Sequence, residues 1–286
     1  MPYNKSALSI GQQISQLESR GLQIPDKDEA VSYLTSVGYY RLSGYWWPLL
    51  ADKQQKVFKS GSTFETVTAI YLFDKELRTL LFSVIEVIEI AFRTKLIYHL
   101  SLEKSPWWFE DSSNFLDSEK HVETLTAIDN ELRRTKENFI IQHRKKYTDD
   151  TRCPPAWKTI EISSFGTLSK LYQNLRNDIK SKNIIAEEFG TVNFTYLPSW
   201  MQAISQIRNI IAHHGRLWNK NLPGRPRLMK RPPHHWVNTV PPNNEHHMLY
   251  IQLCCIKYLL NATISGNGFT KKLKQLLLQY PMIDLM

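Results

Sequence analysis

The residues most suited to chemistry lie in the segment SWMQAISQIRNIIAHH, residues 199–214. On a helix of about 100° per residue, Arg208, Asn209 and His213 share one polar face, which carries no Glu or Lys. An Arg guanidinium can hold a phosphate at two points and offset the charge of a pentacoordinate phosphorus. A His can transfer protons near neutral pH. The pattern therefore predicts phosphodiester chemistry, in which Arg208 holds the phosphate, His213 moves protons and Asn209 orients them.

The same helical wheel separates two adjacent histidines. His214 falls on the opposite, isoleucine-rich face, provided that the helix stays regular to its end. We therefore expect His214 to pack or to support the site, and we expect Ser205 to lie near Arg208 on the polar face. The spacing Arg-x4-His is weak by itself, since chance gives roughly 0.4 occurrences in a chain of this composition.

RNA carries its own nucleophile, the 2′-hydroxyl, so cleavage at such a site would need no metal ion and no cofactor. The expected product carries a cyclic phosphate. Cleavage uses a base and an acid, whereas this helix offers one histidine for the two roles. A two-fold homodimer would bring together two copies of Arg208 and His213.

Three capping boxes mark the starts of helices. The paired residues are Ser9 with Gln12, Asp26 with Glu29, and Ser62 with Glu65. They predict two short helices and one long helix that runs to about Leu100. A further helix from Pro198 to Gly215 would carry the candidate site. Strand signals are few, with the best at Thr191–Tyr196, so we predict an all-α fold.

Aromatic residues crowd the N-terminal part of the chain. The segment from Gly38 to Leu50 holds Tyr39, Tyr40, Tyr45, Trp46 and Trp47. Such residues can stack nucleobases, but they are also common core material, and we favour the core interpretation. We interpret residues 1–60 as an N-terminal helical and aromatic lobe, and residues 61–286 as a helical bundle domain.

The predicted long helix carries charges on an otherwise apolar surface. Within an arc of about 120° lie Asp74, Arg78, Glu86, Glu89 and Arg93. One interpretation is an ion network that satisfies itself against another helix, since buried charges need partners. The other is that Glu86, Glu89 and Arg93 orient Arg208 and His213 from behind. We favour the self-satisfied ion network, although the same charges can also orient Arg208 and His213.

A basic, proline-rich loop follows the candidate helix. It has six basic residues and no acidic one between positions 216 and 231, and these are Arg216, Lys220, Arg225, Arg227, Lys230 and Arg231. The loop is either a solvated surface segment or an arm that contacts RNA phosphates. The sequence favours neither alternative.

Composition supports an anionic partner inside the cell. The formal net charge of +9 suits nucleic acid, with an anionic membrane surface second. Three cysteines, an odd number, predict reduced thiols and a cytoplasmic location. We expect no signal peptide and no membrane span. No CxxC or HxxxH spacing occurs, so we expect no metal site.

Several blocks resemble one bacterial family. RNIIAHHGRLWN, residues 208–219, is similar to the signature of abortive-infection (Abi) proteins of the AbiD and AbiF type. Further blocks agree in order, at residues 17–24, 38–49, 73–96 and 154–175. The resemblance spans about residues 9 to 260, and several ordered blocks are more specific than any single motif.

This resemblance implies a HEPN-type helical domain with an Arg-x4-6-His ribonuclease motif, phage defence and a homodimer. Arg208 would be the motif arginine, Asn209 its polar neighbour and His213 the motif histidine. Two alternatives stay open. One is a non-catalytic protein that binds a structured non-coding RNA. The other is a toxin or antitoxin that acts through protein contacts, against which the basic charge argues mildly.

Overall fold

The computed structural model describes residues 2, 4, 6–237, 239–242, 245 and 247–283. Helices dominate this part of the chain, which confirms the predicted all-α fold. In chain order they are α1 (Ile10–Ser19), α2 (Lys27–Ser36), α3 (Tyr39–Trp46), α4 (Phe64–Glu103), α5 (Ser118–Arg134), α6 (Asn138–Lys146), α7 (Ala156–Ile162), α8 (Phe165–Asn174), α9 (Lys180–Glu188), α10 (Leu197–Ala212), α11 (Leu249–Thr263) and α12 (Phe269–Gln279).

A short antiparallel hairpin interrupts the helical pattern. Its strands are β1 (Leu50–Asp52) and β2 (Val57–Phe58), with Leu50 opposite Phe58. The sequence did not predict this hairpin. The segment 191–196, which had the best strand signal, forms bends and turns.

The predicted helix starts are confirmed at two boxes and shifted at the third. Ser9 and Gln12 cap each other reciprocally at α1, and the Asp26 carboxylate accepts a bond from a backbone N–H in the first turn of α2. At α4 the cap is Thr63, whose Oγ1 accepts from the N–H of Thr66 at 3.2 Å. The prediction of a Ser62 cap is therefore wrong by one residue.

The chain forms two compact units, and α4 contributes to both. The first unit runs from the N-terminus to Thr79 and includes the segment that begins at Lys272. Its core holds the carboxylate of Asp74, which is fully buried. Tyr45 donates its hydroxyl to Asp74 at 2.8 Å, and Arg78 Nε lies 3.2 Å from the same oxygen. Asp74 and Arg78 on α4 therefore form a buried ion pair, as the ion-network interpretation predicted for these two charges.

The N-terminal aromatics divide between core and surface. Tyr45 and Trp46 are buried, which confirms the core interpretation for these two residues. Tyr40 is almost fully exposed, and Trp47 is nearly half exposed.

The second unit, Leu80–Lys271, contains the candidate helix. Its core gathers around Phe92 of α4, which meets the rings of Phe165, Tyr172 and Phe189 edge-on or tilted. α10 packs on α8 and α11, while α5 packs on α7 and α8. The three cysteines are free, as predicted. In the described part of the chain, no helix is long and apolar enough to cross a membrane.

Candidate active site

Helix α10 presents the predicted polar face. Its apolar side chains, including Trp200, Ile204 and Ile207, are buried, whereas Asn209 is exposed and Arg208 is partly exposed. Burial of this isoleucine-rich face fixes the rotation of the helix and so the direction of the polar face. Ser205 differs from the expectation, because it is buried and donates its hydroxyl to the carbonyl of Gln202 at 2.8 Å.

Arg208 is held by the carboxylate of Glu89. The Nε atom of Arg208 lies 3.5 Å from Oε2 of Glu89, and the arginine side chain remains 34% exposed. The other oxygen of Glu89 accepts a bond from Arg93 at 3.0 Å. Glu89 therefore contacts both Arg208 and Arg93. Among the described residues, none forms a hydrogen bond with the terminal nitrogens of Arg208.

A cavity of about 290 Å³ opens beside this ion network. Its lining consists of Phe82, Glu86, Glu89, Ile90, Arg93, Glu161 and Arg208. Three carboxylates and two guanidinium groups face the cavity, so its charge is mixed, with an excess of carboxylates. A phosphate that binds Arg208 would therefore enter a space where nearby carboxylates oppose it.

Arg93 also fixes the end of helix α7. Its guanidinium donates to the carbonyls of Ile160 and Ser163, at 3.2 and 3.1 Å. These carbonyls belong to the last turn of α7 and the residue that follows it; that of Ile160 also accepts the N–H of Ser163 at 3.2 Å. A cation at a helix C-terminus is also favoured by the helix dipole. Through this contact, Glu161 of α7 takes its place in the cavity wall.

Helix α10 ends at Ala212, three residues before Gly215, where the sequence predicted its end. His213 is the C-terminal cap, and His214 adopts a left-handed conformation with φ of 54°. The N–H of Gly215 bonds to the carbonyl of Ile210 at 2.7 Å, and that of His214 bonds to Ile211 at 2.9 Å. These two bonds form a Schellman motif, in which the left-handed position is usually glycine. The chain leaves the helical path at this point, so the expected packing of His214 on the apolar face is wrong, and its side chain is exposed.

His213 itself lies at the exposed end of α10. Its N–H bonds to the carbonyl of Asn209 at 3.1 Å, so the residue still follows the helical path. Neither His213 nor Asn209 lines the cavity that holds Arg208. Arg208 therefore joins the ion network with α4, while the next residue, Asn209, and His213 one turn beyond it face solvent.

The basic segment after α10, residues 216–231, is an ordered strap; this name is kept for it below. Gly224 presses on α10, and its carbonyl accepts a bond from Gln252 of α11 at 2.7 Å. Arg227 is tied to α10 twice, since its N–H bonds to Ser199 at 3.0 Å and its carbonyl accepts from Trp200 at 2.8 Å. The strap backbone therefore follows a fixed course across α10 and α11.

Most of the strap cations point outward. Exposed side chains are those of Arg225, Arg227, Lys230 and Arg231, whereas Arg216 and Lys220 are partly buried. Between the exposed positions, Leu222, Gly224 and Pro226 are buried. Alternation of buried and exposed positions is typical of an extended segment with one face on a core.

Comparison with known proteins bears on this helix and its surroundings. A family model described as Abi-like protein matches residues 32–219, more than half of the chain. The chain belongs to the Abi-like protein family. A search of the curated proteins finds no match, and neither does a search of the solved structures.

The Abi-like match contains every residue of the ion network around Arg208, together with Asn209 and His213. It ends at residue 219, so the strap from Lys220 onward lies outside it. Membership of this family supports a role in abortive infection, a form of defence against phage.

Three residues of the cavity wall were not predicted. Phe82 and Ile90 flank Glu86 on α4 at intervals of four residues, and this spacing could have indicated a shared face. Glu161 lies in one of the blocks that resemble the family, but the sequence around it did not indicate a position in the site. Within the described residues, no group of His, Cys, Asp and Glu side chains could hold a metal ion.

Proposed function

We propose that this Abi-like protein is a cytoplasmic, metal-independent endoribonuclease of the HEPN type that acts in defence against phage. The observation that carries the proposal is the state of Arg208. Glu89 holds this side chain through Nε, while its terminal nitrogens form no hydrogen bond with any residue that the structure describes, and Arg208 lines an open cavity. That edge can hold a phosphate at two points.

The proposed reaction needs no external nucleophile. The 2′-oxygen of a ribose attacks the adjacent phosphorus, the bond from phosphorus to the 5′-oxygen breaks, and a 2′,3′-cyclic phosphate remains. A base takes the proton of the 2′-hydroxyl, and an acid gives a proton to the leaving 5′-oxygen. His213 serves one of these roles, Arg208 offsets the charge on the phosphate oxygens, and Asn209 orients the reacting groups.

A two-fold dimer would supply the second histidine. The described surface offers support for this assembly, because His213 is exposed and two apolar side chains at the cavity are also exposed. Phe82 is 44% exposed and Ile90 is 52% exposed. Apolar side chains of this size at a cavity rim suit an interface between copies of the chain.

Cleavage of total RNA in EDTA tests the proposed chemistry. Wild type should produce fragments with cyclic-phosphate ends, and His213→Ala should lose this activity while RNA binding stays largely intact. His234→Ala is the matched control, since His234 is an exposed histidine outside the site. Equal cleavage by wild type and His213→Ala would overturn the role of His213.

Mixed dimers test the composite site. Wild type and His213→Ala are co-expressed at measured ratios, and cleavage is recorded against the wild-type fraction. If both copies of His213 act in one site, an equal mixture keeps about one quarter of the activity, whereas independent sites keep about one half. A linear dependence on the wild-type fraction would exclude the shared site.

The cavity also gives a reason to keep a second candidate function. Glu86, Glu89 and Glu161 oppose a phosphate near Arg208, and His213 lies outside the cavity. A non-catalytic protein that binds a structured RNA through the strap has no need of these groups. One discrete RNA that co-purifies with the protein, together with no cleavage by wild type, would favour this second function.

A further inference from the structure

A set of basic and aromatic side chains lies on α6, on the residue that follows α6, and on α7. It consists of His143, Lys146, Tyr147, Trp157 and Lys158, and is named the α6–α7 patch here. The Nζ atom of Lys158 lies 3.4 Å from Nδ1 of His143, which joins the two helices. The ring of His143 lies 4.7 Å from that of Tyr147, and Lys146 Nζ lies 5.4 Å from the same tyrosine ring.

The patch lies in a basic part of the second unit, although the strap carries a larger excess of basic residues. Residues 133–158 include eight Lys or Arg and three Asp or Glu. One of these acids, Asp150, is bound by Arg152 through both carboxylate oxygens. Burial, and then the charge of Lys158, lower the pKa of His143, so its imidazole is neutral at neutral pH. The charge of the patch therefore comes from lysine side chains that face solvent or half face it.

The helix dipole explains only part of this arrangement. Basic residues in the last turn of α6 complement the partial negative charge of its C-terminus. That role does not need two aromatic rings at the surface, yet Tyr147 is 48% exposed and Trp157 is 50% exposed. Trp107 shows the contrast, because Arg152 covers its ring at 3.6 Å and its N–H bonds to the carbonyl of Cys153.

Helix α7 connects the patch to the Arg208 cavity. Trp157 and Glu161 are four residues apart on this helix, so they lie on the same face one turn apart. Glu161 lines the cavity, and Arg93 fixes the end of α7 through its carbonyls. The patch and the cavity wall are therefore one helical turn apart on α7.

We propose that the α6–α7 patch binds single-stranded RNA, with bases stacked on Tyr147 and Trp157 and phosphates at Lys146 and Lys158. Stacking on aromatic side chains beside a basic groove is the general way in which proteins hold unpaired nucleic acid. The identification of this RNA as substrate rests on the proposed ribonuclease, but binding to the patch is measurable without cleavage.

The test measures the affinity of a labelled oligouridine by fluorescence anisotropy in EDTA, in a His213→Ala background that prevents cleavage. Trp157→Leu and Tyr147→Ala should each weaken binding about tenfold, which is about 1.4 kcal/mol. Trp157→Phe should retain most of the affinity, because a ring remains. Tyr98→Ala is the control, since Tyr98 is a tyrosine with 60% exposure on α4 in the same unit.

Phosphate contact is tested separately with Lys158→Gln, which should reduce the slope of log affinity against log salt by about one. Three results would overturn the inference. The first is affinity within twofold of the background for Trp157→Leu and Tyr147→Ala. The second is equal dependence on these rings for duplex RNA, whose bases are already stacked. The third is binding to vesicles that contain phosphatidylserine, with no binding to oligouridine.

The outcomes separate this inference from the proposed function. Loss of RNA affinity in Trp157→Leu, with no cleavage by wild type, would support the patch and count against the ribonuclease. Cleavage by wild type, with unchanged affinity in Trp157→Leu and Tyr147→Ala, would support the ribonuclease and count against the patch.

Discussion

The docking of the strap depends on a single glycine, and Gly224→Ala is the substitution that tests it. An added Cβ would lie 2.7 Å from both Cα and Cβ of Ala203, and 2.9 Å from Oε1 of Gln206. The first two atoms belong to the buried face of α10 and are not at the end of a flexible side chain. The strap must therefore move away from α10 to accommodate the methyl group.

The expected cost follows from the contacts that this movement breaks. Overpacking of a well-packed core typically costs about 1–3 kcal/mol. The hydrogen bond from Gln252 to the carbonyl of Gly224 is also lost or lengthened. Gln252 is fully buried, so an unpaired amide there costs about 1–3 kcal/mol unless water reaches it. Because detachment of the strap alone relieves the clash, we expect a total loss of about 2–3 kcal/mol.

Urea unfolding measures the loss of stability, and trypsin measures detachment of the strap. Trypsin can cut after Arg227 and Lys230, whereas prolines follow Arg225 and Arg231 and protect those bonds. The bonds after Arg227 and Lys230, which follow Gly224 in the chain, should be cut faster in Gly224→Ala than in wild type. RNA affinity should also fall, since the outward cations lose their fixed alignment.

Gly166→Ala is the matched control in the same unit. An added Cβ on Gly166 meets only Oγ of Ser164 at 3.9 Å, and the residue lies in helix α8. This change should leave stability unchanged or raise it by up to about 1 kcal/mol. If Gly224→Ala matched the control in urea midpoint and in trypsin resistance, the close contact with Ala203 would not hold the strap.

Three further changes test single residues. His214→Gly should be more stable than His214→Ala by about 1 kcal/mol in urea unfolding, since both remove the ring and only glycine is relaxed at φ of 54°. Burial lowers the pKa of Lys182 to about 8. Between that pH and about pH 10, the unfolded chain binds more protons than the folded protein, so the free energy of unfolding rises with pH. Lys182→Met should remove this rise relative to wild type. Glu89→Gln should lower kcat of RNA cleavage, because Arg208 loses its orientation. It should not raise KM, because a negative charge beside the phosphate disappears. A raised KM with unchanged kcat would contradict this role of Glu89.

Local signals were sufficient for most helices. Ser9 and Asp26 cap α1 and α2 where the sequence placed them, since a side-chain oxygen next to the first turn is a short-range feature. The polar and apolar faces of α10 were also predictable, because they follow from a regular period. Helix α7 was not predicted, since its seven residues give little periodicity and its C-terminus depends on Arg93 from α4.

The end of α10 shows why the sequence prediction of the site was incomplete. The only glycine near the end is Gly215, and a glycine normally occupies the left-handed position of a Schellman motif. Here His214 takes that position and Gly215 follows it, close to the side chain and carbonyl of Ile210. A helical wheel assumes a regular helix and does not show that the helix ends before His214, so it placed His214 on the wrong face. The docking of the strap was equally inaccessible, because it depends on contacts with Ala203 and Gln252 that are distant in sequence.

The geometry around Glu89 explains how Arg208 can be both held and available. Glu89 is buried, and its closer bond, at 3.0 Å, is to Arg93, which also binds the carbonyls at the end of α7. This pair remains satisfied without Arg208, whose contact is longer at 3.5 Å. A phosphate at the terminal nitrogens of Arg208 can therefore lengthen the contact with Glu89 without leaving a buried carboxylate unpaired, which is the costly outcome for buried ion pairs. The carboxylates of the cavity still oppose an anion, so the proposed ribonuclease requires attraction for RNA from outside the cavity, and the strap and the α6–α7 patch are two basic surfaces that can supply it.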